Sequence, residues 1–162
     1  NACNAATLEV LPIALSATMR SINRAAAFEI SMQILLVEDE ASDVMLIEMA
    51  FDAMHIDYEL HTLDSGADVL PYLRHQGAFS DELRPDVILL DLSLPAKDGF
   101  EVLAELAAQS ERWGDIPIII LTGDTHSSFL KRSFGLNIAA YLTKPCSPRK
   151  IRDALLEATR PH

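Results

Sequence analysis

Asp86-Val87-Ile88-Leu89-Leu90-Asp91 sets an unbroken branched apolar run between two acids. A run this short reads as a buried strand rather than a helix. Ile34-Leu35-Leu36-Val37 repeats the pattern and is also closed by acids, Glu38 and Asp39. Residues 116–121 form another such run, with Pro117 near its start, where a missing donor is tolerated. Residues 138–142 make a last strand, and Tyr58–Leu63 alternates apolar and polar residues like an edge strand. Between these runs the apolar spacing turns helical. Residues 41–54 place Val44, Ile47, Met49 and Phe51 inward, and residues 65–75 place Val69, Leu70 and Leu73, with Gly77 closing the helix. Residues 99–109 turn Val102, Leu103 and Leu106 inward. Residues 125–134 are a short helix closed by Gly135, and residues 147–159 present Ile151, Leu155 and Leu156. Strands alternating with helices, the strands nearly all apolar, imply a parallel sheet covered on both faces. The predicted fold is α/β: a doubly wound five-stranded parallel sheet with helices on both faces.

The 162 residues are 49% hydrophobic, enough for one domain with a real core. The net charge of −11 argues against a nucleic-acid binder, which needs a basic footprint. No apolar run approaches the roughly 18 residues of a membrane span. The two cysteines, Cys3 and Cys146, form no CxxC and no metal spacing, which fits a reducing, cytoplasmic compartment. Residues 1–31 read as an N-terminal extension, disordered or not native, or else a short docking helix; residues 32–162 read as the domain. A secretory signal does not fit, because Glu9 and Pro12 interrupt the apolar stretch and no basic residue precedes it.

In such sheets the site lies beyond the carboxyl ends of the strands. There stand Glu38 and Asp39 after strand one, Asp91 after strand three, Thr122 after strand four and Lys144-Pro145 after strand five. Taken singly, each has an ordinary structural use: the acids as helix caps, Thr122 in a turn, Lys144 in a solvated loop. Taken jointly, they collect at the edge the topology selects. Clustered carboxylates need a cation, and oxygen-only ligands favour Mg²⁺ or Mn²⁺. A carboxylate can act as nucleophile toward phosphorus, with Lys144 and a metal offsetting charge on the transferring oxygens.

Ile34-Leu-Leu-Val-Glu38-Asp39, Asp86-Val-Ile-Leu-Leu-Asp91, Leu94-Pro95-x-x-Asp98-Gly99, Ile118-Ile-Ile-Leu-Thr122 and Tyr141-Leu-Thr-Lys144-Pro145 together resemble the receiver domain of bacterial two-component response regulators. The resemblance covers about residues 33–160 and implies the flavodoxin-like strand order 2-1-3-4-5. It implies that Asp91 accepts a phosphoryl group from a sensor histidine kinase. It implies Mg²⁺ (or Mn²⁺) held by Asp39, Asp91 and the Ser93 carbonyl, with Glu38 acting through water. It assigns Thr122 and Lys144 to the phosphoryl oxygens, Tyr141 to an aromatic switch, and a cis bond to Lys144-Pro145. Ser93 and Asp124, two residues beyond Asp91 and Thr122, are expected to border the path of water and to tune phosphoryl lifetime. Ala96 stands where many receivers have glycine. The spacing from Asp39 to Asp91 exceeds the family's usual need, with the excess in residues 76–85. That excess and the stretch from Ser133 to Pro145 resemble stand-alone regulators paired with phytochrome-type photoreceptor kinases. The given residues end soon after the last helix, so the expectation is signalling by contact or phosphorelay rather than through an output domain.

The rivals are an aspartate-nucleophile phosphohydrolase and a degenerate receiver that only binds partners. The first needs a second acid two residues after the nucleophile, where this chain has Ser93, so the protein is not expected to turn over an external substrate. The intact set of Glu38, Asp39, Asp91, Thr122 and Lys144 argues against the second. A flavin site is disfavoured because Glu38-Asp39-Glu40 would repel its phosphate, and GxGxxG is absent. The histidines (His55, His61, His75, His126 and His162) show no ligand spacing, and Cys146 reads as structural. Trp113 falls at the end of the sheet opposite the site. Charge is uneven: residues 32–129 are strongly acidic, residues 130–162 basic. Such a basic face suits a homodimer through the last two helices and strand five, using Lys131, Arg132 and Asp153.

Overall fold

The computed structural model describes residues 31–123 and 135–160. The extension through residue 30, the helix expected over residues 125–134, and Asp124, Lys131 and Arg132 lie outside them. Five parallel strands run in the order β2-β1-β3-β4-β5, as expected. They are β1 (Met32–Val37), β2 (Tyr58–Leu63), β3 (Val87–Asp91), β4 (Ile118–Thr122) and β5 (Ile138–Thr143). The described α-helices are α1 (Ala41–Asp52), α2 (Val69–Leu73), α3 (Gly99–Ala107), α4 (Ser110–Trp113) and α5 (Pro148–Ala158).

Strand side chains alternate between faces, so an all-apolar strand feeds two cores. Leu35, Val37, Ile88, Leu90, Ile118 and Ile120 face one core, where α2 and α3 bring Val69, Tyr72, Leu73, Val102, Leu103 and Leu106. Ile34, Leu36, Val87, Leu89, Ile119 and Leu121 face the other, against Ile47, Ala50 and Phe51 of α1 and Ile151, Ala154 and Leu155 of α5. Two expected core positions fail. Met49 and Leu156 are exposed. In α1 the buried set is Ile47, Ala50 and Phe51. At 100° per residue, Met49 lies about 200° from Ile47 and so points away. Leu156 is likewise rotated off the stripe set by Ile151 and Leu155.

Three elements differ from expectation for local reasons. The single helix over residues 65–75 is a 3₁₀ turn (Gly66–Asp68) followed by α2. Pro71 accounts for this: it fits the first turn of a helix begun at Val69 but would break one begun at Ser65. Gly77 does not close α2; His75 takes the left-handed conformation there, at φ 53°. The helix over residues 99–109 ends at Ala107 and resumes as α4, and Pro117 stays outside β4. Trp113 is buried in the core formed with α2 and α3.

The long segment after α2 folds back onto the edge strand. It holds a 3₁₀ turn (Gly77–Phe79), and Phe79 meets the Tyr72 ring at 5.6 Å. Glu82 pairs with His61 of β2 at 2.8 Å, and Arg84 reaches Asp115 at 2.7 Å. At the amino end of β3, Asp86 Oδ2 accepts the Gln33 N–H at 2.8 Å.

Ala96 adopts φ 62° in the loop between β3 and α3. A Cβ in this region costs roughly 1–2 kcal/mol. Ala96→Gly is therefore expected to raise stability by about 1 kcal/mol net of glycine's greater unfolded-state entropy. The measurement is a urea unfolding midpoint; an unchanged or lowered midpoint contradicts the strain argument.

Candidate functional site

Parallel pairing aligns the strand ends. Val37 pairs with Leu90, Asp91 with Leu121 and Thr122 with Thr143. The ladders continue one step beyond the strands: Glu38 N–H donates to Leu63 O at 2.9 Å and Lys144 N–H to Thr122 O at 2.8 Å. Glu38, Asp91, Thr122 and Lys144 are thereby carried to one edge by backbone geometry alone. The Lys144–Pro145 bond is cis.

Neither Asp39 nor Asp91 caps a helix. Glu40 stands at the start of α1 without a side-chain cap bond, and Asp98 caps α3 in a reciprocal box with Glu101. Asp91 is 3% exposed and Glu38 1%, an expensive placement for two acids unless a cation lies between them. Lys144 supplies it. Its Nζ lies 2.5 Å from Glu38 Oε2 and 2.6 Å from Asp91 Oδ2. The other Asp91 oxygen, Oδ1, accepts the Ser93 N–H at 2.9 Å. Thr122 is buried beside them, while Asp39 is exposed at the rim. Tyr141, on β5, is 39% exposed.

Burial alone would push the Lys144 ammonium down; the hydrogen bonds it donates to Asp91, Glu38 and Asp43 outweigh this and hold it above the usual lysine range. Burial pushes the Glu38 carboxyl up, against the opposing pull of Lys144. Burial likewise raises Tyr141 and Cys146.

Glu38, Asp39 and Asp91 each offer an oxygen, and these atoms lie within 4.8 Å of one another. An oxygen-only set at a partly wet edge fits a hard divalent cation rather than zinc. Gly99 fixes the backbone beneath. A Cβ there would come 2.4 Å from the Asp91 carbonyl oxygen and 2.7 Å from Leu92 Cα, so only glycine lets α3 start this close to the acid.

The response regulator receiver domain profile matches residues 34–156. The chain belongs to the response regulator receiver family. Response regulator Rcp1 of Synechocystis is 40% identical over 111 residues, 68% of this chain and 75% of that protein. The crystal structure of the phosphorylated cyanobacterial phytochrome response regulator RcpA aligns with a TM-score of 0.65 and 34% identity, over 76% of this chain and 89% of that one. The Mn²⁺-bound form of Rcp1 aligns with a TM-score of 0.65 and 35% identity, over 76% and 88%. Receivers of this family are signalling proteins of two-component systems, and this receiver is related to phytochrome-associated members. Among the described residues no helix is long and apolar enough to cross a membrane.

Sequence reasoning picked out the strand ends and missed what α1 brings to the site. Asp43, in the first turn of α1, also reaches Lys144, at 2.9 Å. Its place in an amphipathic segment gave no sign of this. Also missed was a polar group away from the site: Gln33 lies 3.2 Å from Glu59 Oε2 and 3.3 Å from His61.

Lys144 and a divalent cation would share the Glu38 and Asp91 oxygens, and this generates a prediction. Without metal, Lys144→Ala leaves two buried carboxylates uncompensated and is expected to cost about 3 kcal/mol. Added Mg²⁺ should restore part of that loss, and should raise the melting temperature of the variant more than that of wild type. Thermal unfolding with Mg²⁺ and with chelator checks it; equal Mg²⁺ shifts in both proteins contradict shared oxygens.

Proposed function

We propose that Asp91 is the phosphoacceptor, charged by a sensor histidine kinase. The observation that carries this reading is a buried Asp91 held at 2.6 Å by Lys144, with Glu38 and Asp39 oxygens within 4.8 Å. An Asp91 oxygen attacks phosphorus, the new O–P bond forms, and the donor's P–N bond breaks with its electron pair returning to the imidazole. Lys144 and Thr122 bind the phosphoryl oxygens. Asp39, Asp91 and the Ser93 carbonyl would hold Mg²⁺ or Mn²⁺, with Glu38 acting on it indirectly. When bound, the cation offsets charge on the transferring oxygens. The oxygen-only ligand set and the Mn²⁺ in Rcp1 support this assignment.

The same reading makes Thr122 and Tyr141 a switch. Phosphoryl oxygens draw the Thr122 hydroxyl inward, and the outward-facing Tyr141 moves into the space released. Phosphate shifts the population between two arrangements. Ser93 and Asp124 set the access of water to the acyl phosphate. The resemblance to Rcp1 and RcpA supports a phytochrome-type kinase as the partner, in the cytoplasm. A homodimer through β5, α5 and the helix expected over residues 125–134 fits the basic end of the chain. In α5, Asp153 already lies 3.0 Å from Arg152, an exposed pair of little intrinsic worth that a second copy can exchange.

Incubation with Mg²⁺ and a small acyl-phosphate donor is expected to add one phosphoryl mass. Asp91→Asn and metal chelation should each reduce the gain to background. A variant that takes up the same mass would remove Asp91 from the mechanism. Thr122→Ala is expected to accept the phosphoryl group yet lose the coupled change. Wild-type-sized chemical-shift changes around Tyr141 in that variant would refute the switch.

A further inference from the structure

Lys144 has a partner that belongs to no strand end. An ammonium has three donors, and this one faces three carboxylates: Glu38, Asp91 and Asp43. Two of these have other work. Glu38 and Asp91 lie in the oxygen cluster that suits a divalent cation, whereas Asp43 stands outside it. A cation at that cluster competes for Glu38 and Asp91, and phosphorylation consumes an Asp91 oxygen. Among the described residues, Asp43 is the one partner that neither event removes. It is also placed to act as an anchor. It rises from the first turn of α1, a helix fixed against the sheet by Ile47, Ala50 and Phe51, and its side chain is 26% exposed. Asp43 and Lys144 line one crevice together with Leu46, Ile47, Leu121 and Cys146.

We propose that Asp43 is a positioning residue that keeps Lys144 at the site while Glu38 and Asp91 exchange partners. The proposal rests on the phosphoacceptor reading of Asp91. It makes an unusual demand on sign. A carboxylate acting only through its field repels an incoming phosphate donor, so its removal would speed capture. A carboxylate that positions Lys144 does the opposite.

The test is phosphoryl capture from a small acyl phosphate at saturating Mg²⁺, followed by mass, in wild type, Asp43→Asn, Lys144→Gln and the double variant. Asp43→Asn is expected to slow capture about tenfold with Lys144 present, and less than twofold in the Lys144→Gln background. A faster or unchanged rate in Asp43→Asn overturns the proposal, as does an equal loss in both backgrounds. A second readout does not depend on turnover. In Mg²⁺-loaded protein, the ε-methylene NMR resonance of Lys144 should move toward the free-lysine position in Asp43→Asn, with the amide spectrum otherwise folded. An unmoved resonance also overturns it, even if Lys144→Gln captures too little to measure. Asp91→Asn run alongside separates the two claims: mass gain there defeats the phosphoacceptor reading, whereas its absence leaves any failure to Asp43 alone.

Discussion

A single ammonium set among carboxylates at the end of a parallel sheet is the constraint around which this protein is organised. Glu38 and Asp91 are almost wholly removed from water, and their mutual repulsion is tolerable only because Lys144 Nζ lies within 2.6 Å of both. Removing a charged partner from such an arrangement costs far more than forming it contributes. The arrangement depends in turn on register. A one-residue slip of β1 or β3 would exchange that strand's two faces and carry an acid out of reach of the lysine. The apolar strands thus serve the site as well as stability, because packing on both faces leaves only one register available.

The same logic explains what could be read from sequence. An apolar run closed by an acid states both a strand and its carboxyl end, so Glu38, Asp39, Asp91, Thr122 and Lys144 could be placed together before any coordinates. The sheet order followed from the family resemblance and the alternation of elements. Helix details were less legible. Apolar residues occur all round α1, so composition did not reveal that Met45, Leu46 and Met49 face solvent. Pro71 carried the information that α2 starts late, but only if the helix start was already known. Asp43 was invisible for a different reason: its partner is distant in sequence, and nothing local in an acidic helix start marks one carboxylate as facing inward.

The capping box of Asp98 and Glu101 and the glycine at position 99 show how closely local and site chemistry are joined. Asp98 ends the loop that begins at the Asp91 backbone, and Gly99 allows α3 to touch that backbone directly. Position 96 in the same loop is held in a conformation that alanine tolerates poorly. The loop is therefore pinned at both ends and strained between them, which suits a segment that must hold an acid in one orientation.

The long segment between α2 and β3 lies at the opposite end of the sheet from this chemistry. It is fastened to the edge strand by Glu82 on His61 and to α2 by Phe79 on Tyr72. About five strand residues, some 16 Å, separate its end from Asp91. Distance along the chain and distance in space are therefore uncoupled in this scaffold. Residues added to that segment change the count between the two aspartates without displacing either, so the family can drift in length there while its site stays fixed. For protein engineering, that makes the segment a natural port for an inserted peptide or reporter.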